Sequence, residues 1–596
     1  MTNNFNKPLT LLFVLLVAMN CYIGSGFTPS SDQSSGIIIA RDIASGNLIL
    51  KDWFLSTVTF YFTDLIWYSL FSLLGVSNHI QSFLVPSLIL SGLTVVCTAL
   101  VISKKKIPWA IFLSFGIVGI YSSQIYNLAV THVGAYLYTA IIYLLIERSS
   151  SSENGKKYSI AIFILSLAIF FSDDISKYSF LIPLTLSLFL DLTLKRNLKS
   201  LPYLASIIIA FAISKILLLS VMHFGGFQLP GVGQPRFATQ QEFINNLGYI
   251  LNGSLRLFEG YIFGLQIDLF SFATAVRLCY MLFFFYFITF SIRNLMDYSI
   301  IDRSLLITAL IMPFAFIFSN IPSAIDSIRY IAPSVIFGSV FICRHSRLSN
   351  KHSIAALVIA IISGFIIYTN AITTEKRNLE IEHLTKFIKE YGLKRGFASF
   401  WYASSVSLNS GAILSPVVFN NNEGSVKPFL WLTKTTNYED DNTFVIADSD
   451  ADKDVAISQF GHPDLISKVA SKSVMIWRKG IAIPFNGFNI KTNDSYFGST
   501  GLRKQNSTCP KEGGPFIVTG PYRPLKQGTY SVSIDKDGSG EVNGDVVALG
   551  GQVTIAEINN STKFDIQIDK TYPDIEVRIY NAKNSSCIKS ISVEKK

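Results

Sequence analysis

The feature that most constrains this chain is a series of apolar runs, each about as long as a bilayer is thick. A hydrocarbon core takes about 20 residues of helix, and runs of that order occur at 9–27, 80–103, 107–123, 127–146, 158–172, 176–194, 201–222, 271–292, 304–319, 327–343 and 353–370. About eleven spans are expected from that window. Half of the 596 residues are hydrophobic and only 15% are charged, a balance that excludes an ordinary soluble domain. The first run, "LTLLFVLLVAMNCYIGSGF", has no convincing small-residue cleavage site and opens a whole series, so it reads as a retained span.

Charge sets the orientation. Lys and Arg exceed Asp and Glu by +10, but they fall mostly in short clusters between apolar runs. Lys104, Lys105 and Lys106 form one cluster, Arg148, Lys156 and Lys157 a second, and Lys195, Arg196 and Lys199 a third. Arg293 with Arg303, and Arg344, Arg347 and Lys351, complete the set. Every second loop carries such a cluster, which makes those loops and the N-terminus cytoplasmic. No nucleic-acid-binding face is needed to explain them. An odd number of spans then puts residues 371–596 outside. The apolar stretch 53–75 is expected to lie as a helix in the external interface, because counting it as a span would turn the "KKK" cluster outward.

On that topology Asp32, Asp42, Asp64, His79, His132, Asp173, Asp174, Lys177, His223, Arg236, Arg256, Asp326 and Arg329 gather at or near the external side. Asp32 lies in "GFTPSSDQSSG", just past the first span. The pair Asp173 and Asp174 stands in "FSDDISKYSFLIPL", and Arg329 with Tyr330 in "DSIRYIAPSVIFG". Adjacent acids between apolar runs are costly unless solvated or used. Each also has a plainer reading. Asp32 suits a turn or helix cap, "SDD" suits a cap, and Lys177 suits pairing with Asp173 at helical spacing. Lys215, inside a span, either snorkels outward or neutralises a lipid phosphate.

These three stretches, with a juxtamembrane helix and a second external amphipathic helix, resemble the GT-C superfamily of lipid-carrier-dependent glycosyltransferases. The pattern covers roughly residues 9–370. Bacterial O-antigen-modifying, serotype-converting glucosyltransferases are closest in style. The resemblance implies transfer of a sugar, glucose in that subfamily, from undecaprenyl (polyprenyl) phosphate to a glycan or lipid-linked acceptor. It places Asp32 as the base and Arg329 with Tyr330 at the carrier phosphate. It also implies partner enzymes that make and flip the donor, and a plasma (inner) membrane location. Many members carry a second acid beside the first, where this chain has Gln33. That departure counts against a metal-binding role for the loop; a divalent cation stays an option, and no cofactor is established by the residues.

The chemistry can be argued separately. A polyprenyl-phosphate sugar keeps its tail in the bilayer, so its anomeric carbon lies near the headgroup plane, where a carboxylate just beyond a span can deprotonate an incoming hydroxyl. Phosphate leaves readily, so cations that hold it matter more than a second acid. Asp173 and Asp174 are further catalytic candidates; Lys177, Lys215 and Arg236 are candidates for the phosphate. His132 and Arg256 are candidates on the acceptor side, although a lone His in the outer turn of a span is more often a packing residue. In GT-C enzymes a loop comparable to the Gly- and Pro-broken 223–243 closes over donor and acceptor, so the resemblance implies mobility there; a plain connector is the equal alternative.

Beyond residue 370 the composition changes abruptly. A mixed α/β region is expected over 371–495 and a β-sandwich over 496–596, outside the cell membrane. Cys509 and Cys587 stand alone in the sandwich and are expected to pair in an oxidising compartment. The acidic stretches "DSDADKD" and "DKDGSGEVNGD" have partial calcium-loop spacing but lack the closing Glu. Nucleotide loops, zinc spacings and nucleophile elbows are missing. The rival function is a transporter or flippase for lipid-linked saccharides, for which internal repeats would be expected and none is visible.

Overall fold

The computed structural model describes the chain except residues 1–5, 150–154, 195–200, 231–234, 375–376, 421–423, 440, 493–497, 499–500 and 583. The basic cluster Lys195, Arg196 and Lys199 therefore lies outside the described residues. Two compact units are present, one comprising residues 1–51 and 56–377, the other residues 52–55 and 378–596.

The first unit is helical, and this part of the chain is a polytopic membrane protein. Among the described residues, seven helices are long and apolar enough to cross a bilayer: Lys7–Ser25, Asn78–Ile102, Leu201–His223, Leu269–Asp297, Ile300–Phe318, Ile325–His345 and Asn350–Thr373. Shorter apolar helices, Val133–Ser149, Lys157–Ser172 and Ile182–Leu194, complete the packing. Many starts carry a cap. Ser77, Ser299 and Ser349 each accept a hydrogen bond from the first turn of their helix, supplying a partner to an otherwise orphaned N–H.

Two expectations change. The run 107–123 is not one helix but two short ones, the buried Trp109–Ser114 and the partly exposed Ile120–Tyr126. Arg277, fully buried, reaches into the break and donates to Ser114 O and Ile117 O, both at 3.3 Å. Carbonyls freed by the interruption thus find donors inside the protein, the condition for non-helical backbone at membrane depth. The stretch 53–75 is not a single interfacial helix either. It is a two-residue strand, Trp53–Phe54, then a wide π turn, Tyr61–Leu65, and a short helix, Ile66–Leu73.

An amphipathic helix is present as Gln240–Leu257, opened by a reciprocal capping box between Thr239 and Glu242. The described end of the loop before it is held. Arg236 N–H donates to Asn320 Oδ1, Asn320 N–H to Arg236 O and Ala238 N–H to Phe318 O. These bonds tie residues 236–238 to residues 318–320.

In the second unit, six strands form a mixed sheet in the order 425–428, 413–420, 395–398, 442–447, 472–481, 465–469. Strand Arg395–Ala398 lies parallel to both of its neighbours. Residues 52–55 belong to this unit through Trp53–Phe54, which pairs with Thr433–Lys434. The rest is a sandwich of two antiparallel sheets around Tyr530, Val532, Val546, Val577, Ile579 and Ile591. Strand Gly487–Lys491, before the expected boundary at 496, pairs with Cys587–Lys595 and is part of it. Cys509 and Cys587 are disulfide-bonded. The two acidic stretches have other employment: Ser449 and Asp452 cap helix Asp450–Phe460, and Asp537 pairs with Lys589 at 2.5 Å.

Candidate active site

Asp32 lies in the first turn of helix Ser31–Ala44 but does not cap it. Ser30 does that, its side chain accepting from Gln33 N–H. Gln33, where relatives are expected to carry a second acid, is buried and donates its amide to Ser82 O. The half-buried Asp32 carboxylate is left with the charge of Arg329 as its electrostatic partner. Burial pushes its pKa up and Arg329 offsets part of that rise.

Arg329 belongs to the tight turn Ile325–Ile331 that leads into helix Ala332–His345. Its guanidinium lies over the Tyr330 ring at 5.3 Å and donates from Nη2 to the Tyr330 hydroxyl at 3.5 Å. Its Nε is buried without a hydrogen-bond partner. Among the described residues no carboxylate is seated in its fork, so donors remain for a planar oxyanion.

Tyr330 continues the line. Its ring centroid is 5.8 Å from that of His132, which also contacts Phe60 at 5.4 Å. His132 Nδ1 lies 2.8 and 3.0 Å from the two oxygens of Asp173. Asp173 is 1% exposed and also accepts from Ile175 N–H at 3.1 Å. His132 is therefore packed against Phe60 and Tyr330 and bonded to Asp173, and Asp173 is joined to it rather than to Lys177.

Behind this line sits a carboxylate that the sequence placed on the outer side without assigning it to the site. Asp64 is fully buried in the π turn, accepting from Val130 N–H at 3.0 Å with Oδ1, while Oδ2 has no hydrogen-bond partner. Burial raises its pKa to about 6, with Val130 N–H pulling the other way and the Asp173 charge adding to the rise. Gly134 leaves it room: a Cβ there would fall 2.4 Å from Thr63 O and 2.9 Å from Asp64 Oδ2. The surrounding backbone is strained, with Phe60, Val130 and His132 at φ 51°, 63° and 80°. Non-glycine residues in that region cost on the order of 1–3 kcal/mol each and cluster at functional sites. The sequence signal was an Asp embedded in "YFTDLIWY".

Asp174, next in the chain, forms a second arrangement. Lys215 Nζ lies 2.7 Å from one of its oxygens and Lys177 Nζ 3.0 Å from the other. Burial would raise the Asp174 pKa, but the two ammonium groups outweigh it and the net shift is downward. One carboxylate shared by two lysines leaves a local excess of positive charge.

Two sequence candidates have other partners. Arg236 is exposed and forks onto Glu242 at 2.8 and 2.9 Å, which with Thr239 N–H holds that carboxylate at about 2. Arg256 lies over Tyr121 at 5.5 Å. A further buried pair went unread in the sequence. Glu259, at φ 54°, accepts from Ser122 N–H and Oγ at 2.7 and 2.8 Å, with the Arg277 charge nearby. Among the described residues no group of three or more His, Cys, Asp or Glu is placed to hold a metal ion.

No family model and no curated protein matches the chain. Similar solved structures, at low identity, include two transferases. The Archaeoglobus fulgidus oligosaccharyltransferase in complex with Zn and sulfate matches over 97% of this chain and 99% of its own, with a TM-score of 0.42 and 11% identity. The arabinofuranosyltransferase AftD from Mycobacteria matches over 99% of this chain, with a TM-score of 0.38 and 9% identity; the match spans 58% of AftD.

Proposed function

We propose that this chain is an integral-membrane glycosyltransferase of the GT-C type. It transfers a sugar from a polyprenyl-phosphate carrier to a glycan or glycolipid acceptor, with inversion, on the extracytoplasmic face of the plasma membrane. The observation that carries the reading is a half-buried carboxylate, Asp32, that feels the charge of an arginine, Arg329, which among the described residues has no carboxylate in its fork. In this reading Asp32 takes the proton from the attacking hydroxyl as the C1–O bond to phosphate breaks. Arg329 and the Tyr330 hydroxyl hold the departing phosphate. The raised Asp32 pKa makes it a stronger base than a solvated carboxylate.

His132, locked by Asp173 against Tyr330, orients that phenol. Lys177 and Lys215 add a second positive locus for carrier phosphate, with Asp174 holding both ammonium groups in place. Glucose as the sugar and O-antigen as the acceptor are the most specific form of the proposal. The test is transfer of radiolabel from polyprenyl-phosphate glucose to membrane glycan. Loss of transfer in Asp32→Asn with donor binding retained is the expected result. Normal transfer in Asp32→Asn would move the base elsewhere, with Asp173 the next to replace.

A further inference from the structure

The outer face of one sandwich sheet carries an arrangement that its fold does not require. Val546, Ile558, Val577 and Ile579 point into the core, so by strand alternation Asp545, Glu557, Glu576, Arg578 and Tyr580 point outward. Register joins them across three neighbouring strands: Asp545 is opposite both Arg578 and Glu557, while Phe516, from a fourth strand, is opposite Tyr580. Asp545 is only 6% exposed. Its oxygens accept from Arg578 Nε at 2.7 Å, Arg578 Nη2 at 2.5 Å and the Tyr580 hydroxyl at 2.9 Å. Arg578 also lies over Phe516 at 5.5 Å. The guanidinium is therefore held flat, while Nη1 makes no hydrogen bond among the described residues. Gly551 borders that nitrogen: its φ is +85°, and a Cβ there would lie 3.0 Å from Nη1. Tyr580 is 40% exposed.

We propose that this face is a binding site for a neutral saccharide, separate from the transfer site. An exposed ring accepts the apolar CH face of a sugar, a fixed N–H donor meets a hydroxyl oxygen, and the exposed Glu557 accepts a hydroxyl hydrogen. Because the groups are already locked together, little side-chain freedom is lost on binding. Anions are disfavoured: Asp545 neutralises Arg578, and the exposed Glu557 adds negative charge beside them. That the saccharide is the acceptor glycan rests on the glycosyltransferase reading; the binding itself does not.

The experiment uses the full chain in lipid nanodiscs and saturation-transfer NMR with neutral gluco-, galacto-, manno- and rhamno-oligosaccharides. Wild type should saturate ring protons of at least one of them, with Kd raised about 10-fold in Tyr580→Ala. Tyr580→Phe should stay within about 3-fold, and Glu557→Gln should weaken binding by roughly 3-fold. Asp32→Asn should bind as wild type does. The proposal is overturned if folded wild type binds none of the set, if Tyr580→Ala binds equally well, or if sulfated dextran binds more tightly than its neutral counterpart. Binding without any glycosyl transfer would sink the enzymatic reading alone.

Discussion

Helix Ile325–His345 has an arginine near each end, and the two live under different rules. At its C-terminal end Arg344 is 4% exposed and fully engaged, donating to Asp302 at 2.5 Å, to Glu147 at 2.9 and 3.1 Å, and to Leu100 O at 2.7 Å. Lys104 reaches the same Glu147 at 3.0 Å and His345 the same Asp302 at 3.3 Å. At the other end Arg329 keeps a buried Nε without a partner, as do Asp64 Oδ2, Ser34 Oγ and the Tyr136 hydroxyl. Buried charge that is completely paired ties helices together, whereas buried polar groups left open cost stability and are retained where a ligand or a reaction uses them. On the proposed reading the paired end serves structure and the Arg329 end serves chemistry, a contrast that can be broken by mutation.

The largest effect is expected in rate. Asp32→Asn should lower transfer by about 10²–10⁴-fold with little loss of thermal stability. In wild type the rate should fall as pH drops through a pKa above the ordinary Asp value, because burial delays ionisation of Asp32 and the protonated form cannot act as base. An acid limb that persists unchanged in the residual Asp32→Asn rate would remove Asp32 from the role. At the paired end, Arg344→Met should instead destabilise by roughly 3–5 kcal/mol in detergent unfolding, since two carboxylates lose their main partner. Unfolding of Arg344→Met at the wild-type midpoint would erase the contrast.

Asp64→Asn should move the other way, stabilising by about 1–3 kcal/mol at neutral pH. The folded pKa of about 6 lies above the ordinary value near 3.8, so the fold holds the proton more tightly than the unfolded chain. Wild-type stability therefore falls as pH rises from about 4 to about 6, and the gain from Asn should disappear below about pH 4. A gain equal at pH 4 and pH 8 would point to packing rather than charge. The smallest effect belongs to the lysines. Lys215→Met should raise the donor KM roughly 10-fold with kcat nearly unchanged, the signature of lost ground-state binding.

Some of this was legible in the residues. Apolar runs near 20 residues announce spans because the bilayer leaves a backbone little choice but helix. The composition change after 370 and the alternation after 508 announced the β-rich region for a similar reason, since period-two burial is local. The acidic pair at 173 and 174 was visible as an anomaly, but not that its two members would divide, one to His132 and the other to two lysines. Arg277 and Glu259 were unreadable because each acts on carbonyls or amides more than a hundred positions away.

By itself the sequence determined that this chain crosses a membrane repeatedly and carries a separate β-rich region, because burial of apolar surface and hydrogen-bonding of backbone are settled within one helix or one strand. Only the tertiary structure decided which charges are spent on one another and which stay open. Pairing depends on side chains arriving from different helices at distances of about 3 Å, and neither spacing nor composition along the chain carries that information.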